Sequence, residues 1–318
     1  MERISVLEIE GEDTDWRVPS AVTAGVVGAL PIGSGKKCTF ENDGGRIRIT
    51  SARTRASVGL IQDTSYPEWD VFDASGLELI HGFGAKLDQI AWAVDKKQAM
   101  ATSAVFMDGE VVMGTDGQRL AAATLKLPMD EEKILVQMAM LAPILTQMVE
   151  TRAGVRDGYL LLQPNDYTQI KCILLGLQYP PVSRLTSIET EEAVLFNREA
   201  AAEIIQRIMP VISADRQADL FITIGNGEIE FFTEDDAKIN SITDVIELNG
   251  QCEHEPVKYR LGPDNFVSAI TKSPGLMITM NYTPSKPFQA IRFDGLDEYR
   301  CWIMPRRLVM NDPQQKVE

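Results

Sequence analysis

Few residues of this chain have the types and spacing that chemistry requires, and the clearest candidate for a phosphate-binding loop is incomplete. The segment from Gly28 to Lys37 reads GALPIGSGKK, with the glycines and lysines of a loop that cradles phosphates. Such a loop needs a glycine five residues before its Gly-Lys pair and a serine or threonine after the lysine. Leu30 and Lys37 occupy those two positions. The sequence therefore predicts a helix end followed by a flexible Gly-Ser turn, and no nucleotide site.

The histidines and carboxylates also lack the spacing of a catalytic or metal site. His81 precedes a predicted helix, and His254 lies between Glu253 and Glu255. Adjacent residues of a strand point to alternate faces, so these three side chains would not converge on one metal ion. No serine or cysteine lies in a nucleophile elbow. We therefore predict no catalytic residues, no metal ion, no cofactor and no enzymatic activity.

Composition predicts a globular protein of two or three domains. The chain has 318 residues, a hydrophobic fraction of 44% and a charged fraction of 24%. No run is long and apolar enough to span a membrane, and the first residues do not read as a signal peptide. Its net charge of −15 argues against a protein whose whole surface binds nucleic acid. Four widely spaced cysteines without a CxxC pair predict buried free thiols and a cytoplasmic location: Cys38, Cys172, Cys252 and Cys301.

A repeat of about sixty residues runs along the chain. Amphipathic helices are predicted at 19–30, 84–94, 134–149, 197–212 and 263–272. Each is followed by a strand, a tight polar turn and another strand. The predicted turns are Asn42-Asp43-Gly44, Asp108-Gly109, Asn165-Asp166, Asn226-Gly227 and Pro284-Ser285. The chain thus reads as five β-α-β-β units after a leading strand at 4–9.

Individual elements support this α+β reading. Arg46 to Thr50 alternates strictly between polar and apolar residues, as a half-buried strand should. Two further strands, Phe221 to Ile224 and Glu228 to Phe231, flank an Asn-Gly pair that favours a hairpin turn. Asn197 can cap the helix that follows it. A solenoid is an alternative, but units that each supply a helix and part of a sheet pair more naturally into α+β domains with helices on one face.

Three segments carry a more specific signal: Gly114 to Ala121 (GTDGQRLA), Tyr179-Pro180, and Ile303 to Leu308 (IMPRRL). Each alone is compatible with a turn that enters a strand or with the end of a strand. In their order and separation, the segments resemble the ATDGHRLA-type and MPMRL-type motifs of the bacterial β sliding clamp. That family forms the ring, the DNA polymerase III β subunit, that tethers the replicative polymerase to its template as a processivity factor.

The resemblance implies a DNA-clamp fold, in which units are paired into domains with helices lining a ring and sheets outside. Family members have six units, whereas this chain has five, because the first unit is reduced to a strand. A clamp shortened in this way suggests a bacteriophage version that acts in the cytoplasm of its bacterial host. The implied division is a shortened first domain at 1–74, a second domain at 75–190, a third domain at 191–308 and a polar tail at 309–318.

The resemblance also places a peptide-binding cleft between the second and third domains, where peptides of the DNA polymerase and the clamp loader would dock. Apolar side chains would receive a Leu or Phe of the partner, and arginines at the rim would bind its polar groups and carboxylates. The implied cleft residues are Thr115, Gly117, Gln118, Arg119, Leu120, Pro180, Leu185, Met304, Pro305, Arg306, Arg307 and Leu308. Arg306 replaces the apolar residue usual in the family, which would narrow the slot or favour more acidic peptides.

Two further surfaces follow from the resemblance. Double-stranded DNA would be held without sequence preference by basic residues on or just after the helices, inside a ring that is otherwise acidic. These residues are Lys36, Lys37, Lys86, Lys96, Lys97, Arg152, Arg198, Arg207, Arg216 and Lys272. A head-to-tail homodimer would close the ring through Arg53, Ser57, Val58, Leu60, Val211 and Ile212.

Alternatives remain at this point. For any single residue a plainer reading is available, with Leu120 and Met304 as ordinary core and Arg119 as an ordinary charge at a strand end. The main alternative to a clamp is a non-catalytic acidic interaction or structural protein that shares the α+β repeats and does not encircle DNA. A trimer of shorter arcs is the alternative to a dimeric ring.

Overall fold

A computed structural model describes residues 38–51, 54–60, 71–95, 100–127, 133–166, 168–214, 218–234, 240–248, 250–252 and 254–307. The chain divides into two compact units, Met1–Val71 and Phe72–Glu318. Several predictions lie outside the described residues: the strand at 4–9, the helix at 19–30, the tail at 309–318, and Lys36, Lys37, Arg53, Lys96, Lys97, Arg216 and Leu308.

The first unit contains a three-stranded antiparallel sheet made of β1 (Cys38–Asn42), β2 (Arg46–Ser51) and β3 (Thr54–Gly59). Along β2, Ile47 and Ile49 are buried while Arg48 is exposed. The strict alternation in the sequence therefore gives the half-buried strand that was predicted.

The described residues of the second unit form three antiparallel sheets and five α-helices of four to 17 residues. Its strands are β4 (Glu78–His81), β5 (Ala104–Met107), β6 (Val111–Thr115), β7 (Arg119–Thr124), β8 (Ile134–Gln137), β9 (Glu150–Arg156), β10 (Tyr159–Asn165), β11 (Thr168–Ile173), β12 (Glu192–Asn197), β13 (Asp219–Gly225), β14 (Glu228–Glu234), β15 (Ser241–Glu247), β16 (Val257–Leu261), β17 (Met277–Tyr282), β18 (Ile291–Asp294) and β19 (Arg300–Ile303). Its α-helices are α1 (Phe83–Ala91), α2 (Met138–Leu141), α3 (Ser183–Thr186), α4 (Arg198–Ala214) and α5 (Pro263–Lys272).

One pattern occurs four times in the second unit: a strand, a helix, and then three antiparallel strands. The repeats are β4-α1-β5-β6-β7, β8-α2-β9-β10-β11, β12-α4-β13-β14-β15 and β16-α5-β17-β18-β19. Each helix is thus followed by one more strand than the predicted β-α-β-β unit. The first strand of each repeat pairs with the strands of its neighbour, so that the sheets have the orders β11-β10-β9-β4, β12-β17-β18-β19-β7-β6-β5-β8 and β15-β14-β13-β16. This exchange joins the first repeat to the second and the third repeat to the fourth. Residue 190 lies in the connection between these two pairs of repeats.

The longer helices pack their apolar stripes into one core. Leu87 and Ile90 of α1, Ile204 and Ile208 of α4, and Phe266 of α5 are almost completely buried in the same cluster. The predicted helices at 84–94, 197–212 and 263–272 are confirmed within a few residues. The predicted cap of α4 is confirmed as well, because Asn197 Oδ1 accepts hydrogen bonds from the backbone N–H groups of Glu199 at 2.7 Å and Ala200 at 3.2 Å.

The predicted helix at 134–149 is wrong over its first four residues, and the remainder is not one continuous α-helix. Ile134–Gln137 is the strand β8, paired with β5, and its first three residues are buried. One turn of α-helix and a 3₁₀-helix, Ala142–Gln147, follow. Pro143 lies in the first turn of that 3₁₀-helix, where it cannot donate the backbone hydrogen bond that a continuing α-helix needs. A run of apolar residues is compatible with either a buried strand or a helix, and pairing with β5 decides the outcome here.

The predicted polar turns connect strands. Asn226 and Gly227, with φ of 53° and 80°, join β13 to β14, as a turn with two positive φ angles requires. Asp108-Gly109 and Asn165-Asp166 join β5 to β6 and β10 to β11. Pro284-Ser285 lies in a longer connection, 283–290, between β17 and β18.

Candidate functional site

The eight-stranded sheet carries apolar residues on both faces where β7 meets β19. Trp302 of β19 lies opposite Leu120 of β7 in the ladder. Ala121 and Cys301 point to the helices and belong to the main core. Leu120 and Trp302 point the other way and belong to a second cluster. The period-two geometry of strands therefore places an apolar patch on the outward face, which in an antiparallel sheet is usually polar.

A short segment around α3 covers part of this patch. Val182, Leu185 and Ile188 pack against the second cluster and remain half-buried, whereas Leu120 is fully buried and Trp302 is 4% exposed. The segment is held by backbone bonds from Leu185 N to Val182 O (2.9 Å) and from Ile188 N to Leu185 O (3.3 Å). Leu120 and Leu185, two residues assigned to different walls of the cleft, are thus brought together.

The turn before β7 forms the first wall. Thr115 Oγ1 donates to Arg119 O at 2.6 Å and accepts from Gly117 N at 3.1 Å, so this buried hydroxyl holds the turn closed. Gly117 has a φ of +88°, a conformation that favours glycine. Gln118 at the tip is exposed, and its carbonyl accepts from Met304 N at 2.9 Å. This bond connects the first wall to the third, where Met304 is 38% exposed and Pro305 is half-buried.

Tyr179 and Pro180 belong to the wall that carries α3. The Tyr179 ring stacks on Phe106, with centroids 4.9 Å apart and an interplanar angle of 19°. Burial raises the pKa of the Tyr179 phenol, and its hydroxyl has no hydrogen-bond partner among the described residues. Pro180 is half-buried beside it. This pair therefore supplies shape and apolar area to the wall.

Arg119 differs from the other residues of the first wall, because its side chain lies on the helix-bearing face. Its Nη1 donates to Asn265 Oδ1 of α5 at 2.7 Å, and its Nε lies 2.9 Å from Asp116 Oδ2. The guanidinium also lies 5.4 Å from the ring centroid of Trp92, just past α1. Trp92 Nε1 in turn donates to Tyr299 Oη at 3.1 Å. Arg119 therefore connects α1, β7 and α5 beneath the sheet.

Arg306 is also directed away from the slot. Its Nη1 donates to Asp219 Oδ1 at 2.7 Å, and its backbone N donates to Arg260 O at 2.7 Å. Arg260 Nη1 donates to Arg307 O at 3.1 Å. The replacement of an apolar residue by arginine at 306 is thus accommodated by a carboxylate at the start of β13, and the side chain does not narrow the slot.

The sequence reading named only Leu120 and Leu185 of the outward cluster and missed the rest, including Trp302, Val182 and Ile188. Trp302 is two residues before Met304 and shares its face of the strand, so strand periodicity was a usable signal for it. Val182 and Ile188 flank a single turn of helix that has no periodicity of its own, and no local signal identified them.

The predicted DNA-facing residues within the described part are half-buried or exposed on helices α1, α4 and α5 and on β9. Several of them are paired. Lys272 Nζ lies 2.6 Å from Asp88 Oδ2, and Lys86 Nζ lies 3.7 Å from Asp297 Oδ2. Arg207 pairs with Asp244 and Glu203, Arg198 donates to Ser273 O at 3.4 Å, and Arg152 is exposed on β9. Their contact with DNA stays a prediction.

The predicted subunit-contact residues have contrasting exposures. Ser57 on β3 is exposed and Leu60 just after it is half-buried, while Val58 is 2% exposed. Val211 and Ile212 near the end of α4 are 8% and 6% exposed and pack within their own chain. Little of either side chain on α4 is accessible to a partner, and a role in subunit contact stays a prediction.

The structure describes the surroundings of three cysteine side chains and of both histidines. Cys172 and Cys301 are buried and free, as predicted, and burial raises the pKa of the Cys172 thiol to about 11. Cys252 differs, because it is only half-buried and its Sγ lies 3.0 Å from His254 Nε2. His81 Nδ1 lies 3.2 Å from Glu150 Oε1. The side chain of Cys38 lies outside the described part of the structure.

The described residues contain no cluster of three or more His, Cys, Asp and Glu side chains that could hold a metal ion. None of the described helices is long and apolar enough to cross a membrane.

Comparison with known proteins identifies the fold. No family model matches the sequence, and no curated protein matches it. The structure is similar to that of the DNA polymerase III β subunit of Thermotoga maritima, with a TM-score of 0.76 and 19% identity over 95% of this chain and 83% of that chain. The corresponding subunit of Pseudomonas aeruginosa has a TM-score of 0.72 and 14% identity over 95% and 85%. The β sliding clamp of C. crescentus has a TM-score of 0.71 and 15% identity over 92% and 81%. The chain therefore has the α+β fold of the bacterial β sliding clamps.

Proposed function

We propose that this chain is a sliding clamp: a non-catalytic ring that encircles duplex DNA and tethers a replicative DNA polymerase in the cytoplasm of a bacterial cell. The observation that carries the proposal is the sheet that continues across β7 and β19, with an apolar cluster on its outward face. The likeness to solved clamps supplies the fold, and the half-buried side chains of this cluster would supply a place for a partner on it. Partly exposed apolar patches usually mark interaction sites, so this patch on the outward face favours a protein that binds a partner over one that shares only the fold.

The cleft supports recruitment of peptides from a polymerase or a clamp loader. Leu120 and Trp302 form an apolar floor, and Leu185 and Met304 form partly exposed sides. A Leu or Phe of an extended peptide would bury itself between those sides, while Gln118 and Arg307 at the rim are exposed to its polar groups.

The helix surface supports loose contact with DNA. The three longer helices carry four basic residues (Lys86, Arg198, Arg207 and Lys272) and four acidic residues (Asp88, Glu199, Glu203 and Asp264). This surface is therefore neutral in a chain whose net charge is −15. A ring that slides needs weak, sequence-independent phosphate contacts, and a neutral lining within an acidic protein provides weak contacts without long-range repulsion.

Ring closure is supported by the repeat of the fold. The last strands of two repeats, β7 and β19, pair with each other. The last strand of another repeat, β15, pairs only with β14 among the described strands. The free edge of β15 is therefore suited to receive a strand from a second copy. We propose that β3 of that copy provides it, with exposed Arg55 on β3 and exposed Glu247 on β15 as charges of opposite sign.

A homodimer of this kind would have ten units in place of twelve. The chain covers 81%, 85% and 83% of the three solved clamps. A first domain of one unit would make the ring thinner at that point and would still supply β3.

Two measurements test the proposal. Negative-stain electron microscopy of the purified protein should give closed rings with a central hole, and light scattering at micromolar concentration should give a dimer. Compact particles without a hole would support the acidic interaction protein instead. Rings with the mass of a trimer would retain the clamp and overturn the dimer.

A further inference from the structure

A thiol, an imidazole and a phenol meet at the end of β17. Cys252 Sγ lies 3.0 Å from His254 Nε2 and 2.9 Å from Tyr282 Oη. His254 Nε2 and Tyr282 Oη are themselves 2.7 Å apart, and His254 Nδ1 lies 2.7 Å from the backbone carbonyl of Glu255. Because a carbonyl can only accept, Nδ1 carries the proton of the neutral imidazole, and Nε2 is left as an acceptor that faces the thiol.

This thiol is accessible from solvent and is held in place. Cys252 and His254 are half-buried, whereas Cys172 and Cys301 are fully buried. The backbone at Cys252 has a φ of 68°, and its carbonyl accepts a hydrogen bond from Gly227 N at 3.0 Å. A small solute can therefore reach the sulfur of Cys252, whereas it cannot reach the two buried sulfurs.

The surroundings of the thiol also contain a buried phenol that is not paired. Tyr259 of β16 is 1% exposed, and its ring packs edge-on against that of Tyr282 with centroids 6.1 Å apart. Its hydroxyl has no hydrogen-bond partner among the described residues. Burial raises the pKa of the Tyr259 phenol, and the nearby charges of Glu191 and Cys252 raise it further. Buried hydroxyls usually have a partner, and an oxygen atom added to the sulfur of Cys252 would place an acceptor close to this one.

We propose that Cys252 is a site of oxidation by hydroperoxides, with His254 as the base and a sulfenic acid as the product. His254 Nε2 takes the thiol proton, and the sulfur attacks the outer oxygen of the peroxide, which keeps its own hydrogen. The S–O bond forms as the O–O bond breaks, so that the sulfur is oxidised and the peroxide is reduced. The proton on His254 passes to the leaving oxygen, which departs as an alcohol, or as water from hydrogen peroxide. This site is independent of the proposed clamp function.

The base is needed because the surroundings of the thiol disfavour its ionised form. Burial raises the pKa of the Cys252 thiol, the hydrogen bond with Tyr282 lowers it, and the carboxylate of Glu192 on β12 raises it. The proton therefore stays on the sulfur at neutral pH and has to leave during the attack. A positioned general base accelerates such a step by about 10²–10⁴-fold. The titratable groups around the thiol in the described residues are His254, Tyr282, Tyr259 and Glu192.

The test exposes the full chain to hydrogen peroxide in the presence of dimedone, which traps sulfenic acids. Peptide mass spectrometry then measures the rate at which each cysteine gains the adduct. Cys252 should gain it, whereas Cys172 and Cys301 should not, because both are fully buried. An absence of the adduct at Cys252, or equal rates at all three cysteines, would overturn the proposal.

Two histidine variants separate proton transfer from packing. His254→Gln should slow the reaction of Cys252 at pH 7 by about tenfold or more. Its rate should then rise by roughly tenfold per pH unit up to about pH 9, because only the ionised thiol reacts, while the rate of the unmodified protein rises less steeply. His81→Gln is the matched control and should leave the rate unchanged, since the His81 imidazole is exposed and contacts Glu150. A loss in His254→Gln that is equal at every pH would show that the imidazole only packs against the thiol, and it would overturn the assignment of the base.

Discussion

The two faces of the eight-stranded sheet are both apolar at the junction of β7 and β19, but they are covered very differently. On the helix-bearing face, Ala121, Cys301 and Ile303 lie in the main core, covered by helices of the same chain. On the outward face, Leu120 and Trp302 are themselves buried, but the side chains that pack over them from the α3 segment, Val182, Leu185 and Ile188, remain half-buried. The difference separates stability from recognition: apolar area that the chain covers completely holds the fold, and area left partly covered is available to a partner.

The largest effect is expected on the helix-bearing face. Phe293 of β18 is fully buried, and its ring packs against Phe266 of α5 with centroids 6.0 Å apart. Phe293→Ala should lower the free energy of unfolding by about 3–5 kcal/mol, because it removes a large buried side chain and leaves a cavity. Urea denaturation measures the change.

Phe288→Ala is the matched control, since Phe288 is 54% exposed in the connection between β17 and β18. It should leave the free energy of unfolding within about 0.5 kcal/mol of the unmodified protein. If the two substitutions cost the same, the face assigned to Phe293 is incorrect.

The second prediction concerns the outward face. Leu185→Ala combined with Met304→Ala should weaken binding of a peptide with a Gln and Leu/Phe anchor by about 2 kcal/mol or more, roughly thirtyfold. Stability should change less than in Phe293→Ala, because Met304 is 38% exposed and Leu185 is half-buried. Isothermal titration calorimetry gives the affinity.

Leu276→Ala with Met100→Ala removes the same two side-chain types from positions that are 63% and 61% exposed. This control should bind the peptide normally. Undiminished affinity in the Leu185 and Met304 variant would place the peptide site elsewhere on the molecule.

Local sequence signals predicted the parts of the fold that local chemistry determines. The Asn226-Gly227 turn follows from its need for positive φ, and the α4 cap follows from the side-chain oxygen of Asn197. The apolar run from Ile134 to Val136 failed as a prediction, since only its pairing with β5, about thirty residues earlier, makes it a strand.

The candidate site shows the same limit. Leu120 and Leu185 could be assigned from a motif because their type alone suits an apolar wall. The hydrogen bond of the Arg306 side chain could not be predicted, because its partner Asp219 is 87 residues away in the sequence. Nor could the direction of Arg119, which depends on the alternation of β7 and on the approach of Asn265 from α5.

Arg119 provides the third prediction, since the motif places it in the cleft and the geometry places its side chain on the opposite face. Arg119→Met should lower the free energy of unfolding by about 1–3 kcal/mol, because it breaks a charge-assisted hydrogen bond to Asn265 and removes the ionic partner of Asp116. Peptide affinity should change less than about twofold, no more than the loss of an exposed charge pair would cost.

Arg300→Met, at an exposed arginine of β19, is the control and should change neither the free energy of unfolding nor the peptide affinity appreciably. A large loss of affinity with unchanged stability would return Arg119 to the cleft rim and contradict the separation of the faces.

The smallest effect is expected on the helix surface, where acidic and basic residues balance. Glu199→Gln with Glu203→Gln should strengthen binding to duplex DNA by only a few-fold, because exposed charges act weakly across solvent. Arg207→Gln with Lys272→Gln should weaken it and reduce the slope of log affinity against log salt by roughly one to two, according to how many phosphate contacts are lost. Titrations at several salt concentrations measure both quantities. Glu110→Gln with Glu228→Gln removes the same negative charge from an exposed bend and from the exposed first residue of β14, away from the helices. If this control strengthens DNA binding as much as the helix variant does, the effect follows net charge alone and the helices are not the DNA-facing surface. A gain confined to the helix variant would assign DNA to the face opposite the peptide cleft, with the sheet between the two ligands.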